Sequence, residues 1–373
     1  MSRAEWQHAR NVLCVRLDSL GDVLMCTPAM RAIKGDGPRR VVTLLTSESG
    51  AAAARYIPEL DGVLAYAAPW MKSERARGAA LDADMLSRIA ARQFDAAVIF
   101  TSYSQSPLPA ALLCHMAGIP LRLAHCRENP YLMLSDWVAE AEPDKLIRHE
   151  VQRQLDLVAG IGWQSASTGL SFRVPDPALT KVRRLLATHG IGAQDKFILM
   201  HPGASAPSRR YPARLWAQVI SGLAARRRGS IVLTGEASET GLLDAICDAT
   251  GARVLSLAGQ LDLGQLGAAI QLATVMICNN TGPAHIAAAL GTPLVDLYAL
   301  TNPQHTPWQV AHRLLFHDVP CRFCYKSLCP EGHNDCLSKL EPMRVVHAVC
   351  SLMDQAPGRQ STSDRLPWPA RGA

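Results

Sequence analysis

Four short polar stretches each follow an apolar run, and each carries side chains able to move a proton or hold an anion. The first is Asp18-Ser-Leu-Gly-Asp22, after Val12 to Leu17. Asp22 opens a helical segment, where a carboxylate serves as an N-cap. At a ligand site the same group would act as general base, and a lone carboxylate leaves both readings open. Gly21 beside it permits close backbone approach. The second stretch is His201-Pro-Gly-Ala-Ser205 with Arg209-Arg-Tyr-Pro212 behind it. Guanidinium groups near a glycine turn suit a diphosphate, with a solvated basic turn as the alternative. The third, Leu233-Thr-Gly-Glu-Ala-Ser-Glu239, offers a carboxylate to a ribose or an adenine amine, or to a helix start. The fourth, Cys278-Asn-Asn-Thr-Gly-Pro-Ala-His285, is the most informative. Asn280, Thr281 and the Gly282 backbone offer donors where a helix dipole favours phosphate, and Pro283 fits the first helical turn.

Such loops need strands to end on and helices to begin. Val12–Leu17, Arg40–Thr46 and Phe94–Phe100 are continuous apolar runs alternating with helical periodicity, including one helix face through Leu24, Met25, Met30, Ala32 and Ile33. The alternation predicts a parallel sheet covered on both faces. Between Val174 and Lys196, Pro175, Pro177, Gly190 and Gly192 mark a soft boundary, after which the pattern restarts at Phe197–Met200, Ser230–Gly235, Val275–Cys278 and Pro293–Tyr298. The prediction is an α/β protein of two doubly wound, Rossmann-like domains, 1–180 and 181–355, with a flexible tail at 356–373. In such sheets ligands sit beyond the carboxyl ends of the strands.

Composition narrows the function. The chain has 373 residues, so about two domains at ~150 residues each. A net charge of +6 with 5% aromatics disfavours a nucleic-acid reader but suits an anionic small substrate or an anionic membrane surface. No apolar run reaches the ~18 residues that span a bilayer, and the polar start, Met1 to Arg10, is unlike a signal peptide, so a cytoplasmic protein is expected. Neither a Walker A pattern nor a G-x-G-x-x-G after a strand occurs, which argues against a P-loop kinase and a standard NAD dehydrogenase.

In their order along the chain the loops resemble glycosyltransferase family 9, the ADP-heptose transferases of lipopolysaccharide core synthesis, and within it the heptosyltransferase II type. The resemblance rests on Val15-Arg-Leu-Asp-Ser-Leu-Gly-Asp-Val-Leu24 with Thr27-Pro-Ala, His201-Pro-Gly-Ala, Arg210-Tyr-Pro, Leu233-Thr-Gly, and Asn280-Thr-Gly-Pro-Ala-His285 onward to Pro293. It spans roughly residues 11 to 350. It implies a GT-B fold with the acceptor on the N-terminal domain, the nucleotide sugar on the C-terminal domain and the active site between them. It also implies inversion by single displacement with no metal required for catalysis. Asp22 stands where the family keeps its catalytic base, with Ser19 and Gly21 on the acceptor-side loop. Ser205, Arg209, Glu239, Leu261, Asn280, Thr281, Gly282 and His285 stand at donor contacts. The implied partners are ADP-heptose, an anionic glycolipid acceptor and, peripherally, the inner face of the inner membrane. Two positions depart from the family's usual Lys and Asp: Arg209 keeps the charge, whereas Asn280 loses one beside the donor sugar. Thr101–Ser106 and Arg122–Arg127 are read as acceptor loops without a readable code.

Cys321, Cys324, Cys329 and Cys336 form C-x2-C-x4-C-x6-C with His333 inside, a spacing able to hold structural zinc or iron. A similar segment occurs in some second heptosyltransferases, and one related group that modifies autotransporter proteins holds iron through cysteines. Structural metal, reduced thiols packing a loop and a disulfide are the three expectations. The competing functions are transfer of another activated sugar to a secondary-metabolite or protein acceptor, and a non-catalytic metal-binding scaffold.

Overall fold

Buried apolar runs become two all-parallel sheets in this computed structural model, which describes residues 3–35, 40–72 and 78–355. The tail expected at 356–373 lies outside the described residues. The first sheet holds β1 (Asn11–Arg16), β2 (Val41–Thr46), β3 (Gly62–Ala65), β4 (Ala96–Ile99), β5 (Leu121–Cys126) and β6 (Asp136–Ala139), in the order β3-β2-β1-β4-β5-β6. The second holds β7 (Phe197–His201), β8 (Ser230–Leu233), β9 (Leu255–Ser256), β10 (Val275–Asn279), β11 (Leu294–Leu297) and β12 (His312–Leu315), in the order β12-β11-β10-β7-β8-β9. Read from its other edge, the second order repeats the first. This is the doubly wound Rossmann pattern, and the expected fold class holds. The strand order reverses between β1 and β4 and between β7 and β10, so ligand loops belong at those two places.

The chain separates into two units between Ser171 and Phe172. The boundary expected at 180/181 falls inside the helix Asp176–Thr188, while the separation comes just before it. In the first unit Leu13, Val15, Leu45 and Ile99 form the core under the sheet. In the second, Ile198, Ile277, Val295 and Leu297 pack with Trp216, Val345 and Val349 from the helices Ala213–Ala225 and Pro342–Asp354.

Local differences have physical causes. The helix face expected through Leu24 and Ile33 belongs to two helices, Leu20–Met25 and Thr27–Lys34, which meet at Cys26 with Pro28 in the first turn of the second. Arg122–Arg127 is no loop, because nearly all of it is β5. Arg122 is tolerated there because its guanidinium donates to the carbonyls of Ile119, Pro120, Leu132 and Met133. No helix among the described residues is long and apolar enough to cross a membrane.

The polar start conceals an anchor. Trp6, on the helix Arg3–His8, is fully buried. It meets Trp163 edge-on at 5.5 Å and donates to Asp136 Oδ2 at 3.0 Å. Trp6→Ala should destabilise the first unit by about 3–5 kcal/mol, measured by denaturant unfolding. A change below about 1 kcal/mol would show that the helix docks without bearing on stability.

Candidate functional site

In the first unit β1 ends at Arg16, and the chain turns through Asp18 into the helix Leu20–Met25. Ser19 is the N-cap, in extended conformation. Asp22 sits three residues later and reaches back, its Oδ2 accepting from Ser19 N at 3.1 Å and Ser19 Oγ at 2.6 Å. The N-cap role considered for Asp22 thus falls to Ser19, while Asp22 supplies the returning half of a capping box. Its Oδ1 accepts from Arg16 Nη2 at 3.1 Å. The side chain keeps 15% of its surface exposed, enough for a substrate hydroxyl to reach it.

Arg16 is fully buried and also touches Asp18, whose Oδ1 accepts from Gln105 Nε2 at 2.6 Å. Burial pushes the Asp18 carboxyl up, against the opposing pull of Arg16. Beside this group a cavity of about 370 Å³ is lined by Leu17, Asp18, Trp70, Phe100, Gln105 and Lys72. It lies beyond the ends of β1 and β4, at the switch point.

In the second unit the loops after β7, β8, β9 and β10 hold the expected donor residues. His201 ends β7, and burial pushes its pKa down to about 4, so the ring is neutral. Asn279 ties two of the loops together. Its Nδ2 donates to Pro202 O at 2.6 Å, and its Oδ1 accepts from Tyr211 N at 3.1 Å. Gly203 lies against Glu239, whose Oε2 accepts from Glu236 N at 2.9 Å. Arg209 donates from Nη1 to Asn280 O at 3.3 Å, so these two candidates are neighbours. Thr281 is the N-cap of the helix Gly282–Leu290, with Gly282 and Pro283 in its first turn and His285 buried behind them. Ser205 is exposed, and Leu261 is half-buried just before the helix Leu263–Leu272. Asn280 is buried with its Nδ2 unpartnered. Asp296 is fully buried with both oxygens unpartnered, and burial pushes its carboxyl well up. Arg210 spends its Nε on Ala204 O at 2.7 Å, bracing the loop.

The Cys-rich segment supports the Arg209 turn. Ser208 donates from N to Ser327 O at 3.0 Å and from Oγ to Lys326 O at 2.8 Å. Cys321, Cys324, Cys329 and Cys336 line one small cavity with His333, and all eleven cysteines are free thiols, so the disulfide expectation fails. Cys321 Sγ stands 3.9 Å from His333 Nε2. Among the described residues no three His, Cys, Asp or Glu side chains are gathered to hold a metal.

Three residues central to this geometry were not singled out by the sequence: Arg16, Glu150 and Asn279. Arg16 lay inside the strand motif, and Glu150 stands 134 positions away from it. Asn279 adjoins Asn280 without a motif of its own.

Two Rossmann-like units with ligand loops at their switch points define a GT-B-type enzyme. The profile of Glycosyltransferase family 9 (heptosyltransferase) matches residues 84–334, and the chain belongs to that family. It is a glycosyltransferase. Lipopolysaccharide heptosyltransferase 2 of Escherichia coli K12 is 25% identical over 371 residues, covering 92% of this chain and 99% of that one. The family 9 glycosyl transferase of Veillonella parvula superposes with a TM-score of 0.74 at 20% identity, over 92% of this chain and 97% of that one. E. coli ADP-heptose LPS heptosyltransferase II gives a TM-score of 0.70 at 20% identity, over 92% and 98%.

A Cβ on Gly203 would stand 2.0 Å from Glu239 Oε1, at the movable end of that side chain. Gly203→Ala should therefore displace Glu239 and leave the fold intact. Calorimetric titration with a nucleoside diphosphate should show affinity reduced about tenfold, the worth of one charge-assisted hydrogen bond. Unchanged affinity would remove Glu239 from the contacts.

Proposed function

We propose that the protein transfers a heptose from ADP-heptose, with inversion and without a catalytic metal, to an anionic acceptor of the lipopolysaccharide-core kind. The observation that carries this is Asp22, anchored through both oxygens yet open to a ligand at the end of β1. Asp22 takes the proton of the acceptor hydroxyl. That oxygen forms a bond to the anomeric carbon as the bond from carbon to the diphosphate oxygen breaks, and ADP leaves with the electron pair. Arg209, Thr281 and the Gly282 N–H meet the charge that grows on the diphosphate, which stabilises the transition state beyond the bound donor. Ser205, Glu239, Leu261, Asn280 and His285 complete the donor side, with Glu239 accepting from the nucleoside.

On the acceptor side, Lys72 is the one cation among the described residues that line the cavity of the first unit, with Trp70, Met71, Phe100 and Asp18. That lining fits one ring bearing one anionic group. It equally favours a second reading, an apolar acceptor outside lipopolysaccharide. Exposed Leu112, Met116, Tyr131 and Leu132, on a helix and a turn that pack together, support peripheral contact with a lipid surface. A nucleotide-sugar donor agrees with work on the cytoplasmic side.

Transfer should be seen with ADP-heptose and not with UDP- or GDP-sugars, and a chelator should leave the rate unchanged. Asp22→Asn should lower kcat by about 10²- to 10⁴-fold while ADP still binds. A wild-type protein that binds no nucleotide sugar, or an Asp22→Asn variant with full activity, would overturn the assignment.

A further inference from the structure

Glu150 stands in the first turn of the helix Glu150–Ala159 and has no exposed surface. Its Oε1 lies 2.7 Å from Arg16 Nη1 and accepts from Gln154 Nε2 at 2.8 Å. Gln154 also donates to Thr101 O, just beyond β4, at 3.0 Å. Arg16 in turn holds Asp18 Oδ2 at 2.8 Å from Nε and Asp22 Oδ1 at 3.1 Å from Nη2. We propose that Arg16, itself held by Glu150, is a positioning residue that fixes both the orientation and the proton affinity of Asp22. This rests on Asp22 being the base.

A guanidinium is a planar fork whose donors point in fixed directions, so a carboxylate bound to one edge is oriented by whatever holds the others. Here Glu150 anchors one edge from a distant helix, and the Asp18–Asp22 loop takes the rest. Asp22 Oδ2 is already taken by Ser19, so Arg16 on Oδ1 removes the rotation that remains. The carboxylate then keeps a single presentation toward the acceptor. Lysine could not replace this fork, because an ammonium carries charge without a fixed plane.

Charge follows the same route. The cation beside Asp22 favours its ionised form, and Glu150 and Asp18 each draw on that cation. Lys72 lines the cavity beside Asp18, and the other described elements around the group add little competing charge. Arg31 and Lys34, on the helix Thr27–Lys34, are taken up by Glu59 and Asp61. Glu48 and Arg55 flank the helix Glu48–Ala54 at its surface-facing ends, and burial keeps the thiols of Cys14 and Cys26 protonated. On the helix Glu150–Ala159, Arg153 is spent on Glu140, Glu142 and Thr101 O, Asp156 pairs with Arg148, and the preceding His149 accepts from Val151 N.

The test is the acid limb of kcat/KM against pH in three variants of the full chain. Glu150→Gln keeps the volume of the site and frees the Arg16 charge for Asp22, so the limb should move to lower pH. Arg16→Met combined with Glu150→Gln removes the fully buried pair together and leaves Asp18 held by Gln105 alone. It removes the cation, so the limb should move up by about one unit. In the double variant kcat should fall at least tenfold, with the donor KM within twofold of wild type. Opposite displacements from the two variants are not what a merely structural role produces. Limbs that coincide with wild type, while Asp22→Asn has lost transfer, would overturn this proposal alone. Transfer retained by Asp22→Asn would overturn it together with the assignment of the base.

Discussion

A guanidinium taken out of solvent needs acceptors on every edge to offset its lost hydration, and that constraint shapes the first unit. Arg16 is buried at the end of the central strand, and desolvation of such an ion costs several kcal/mol unless it is repaid locally. Asp18 and Asp22 of the next loop and Glu150 of a remote helix provide the opposing charge. The ion pairs therefore fix the path of the chain after β1, and with it the place of Asp22 at the switch point. The capping box at Ser19 reinforces the same position.

The second unit solves a different problem. Its loops after β7 and β10 are stitched by a neutral amide rather than by ion pairs. Asn279 joins the loop after β7 to Tyr211 without consuming a charge. Arg209 makes one long contact to a carbonyl, and Asn280 Nδ2 has none. A carboxylate cluster at one switch point and donors at the other fit a base for one substrate and a cradle for a diphosphate.

Much of this was legible in sequence because strands of a doubly covered parallel sheet read as unbroken apolar runs. β1, β2, β4, β7, β8, β10 and β11 all do so. Five strands escaped: β9 has two residues, β3 and β12 have four, β6 begins with an aspartate, and β5 carries Arg122 and His125 inside it. Asp136 is held by Trp6, and His125 by the Arg153 carbonyl, partners distant in sequence that no local pattern announces. The candidate loops were visible through glycine, proline and capping residues at strand ends. The residues that fix them, Glu150 and Asn279, act through contacts distant in sequence and carry no spacing signal. The cysteine motif was legible as spacing, yet its thiols are free and the segment braces the Arg209 turn through the backbone carbonyls of Lys326 and Ser327.

If one carboxylate acts as base in a single displacement, the anomeric centre must invert. Proton NMR of the newly formed linkage, read against the configuration of the donor, should therefore show inversion. A product with retained configuration would contradict it, because retention requires a second nucleophile or a different course of displacement.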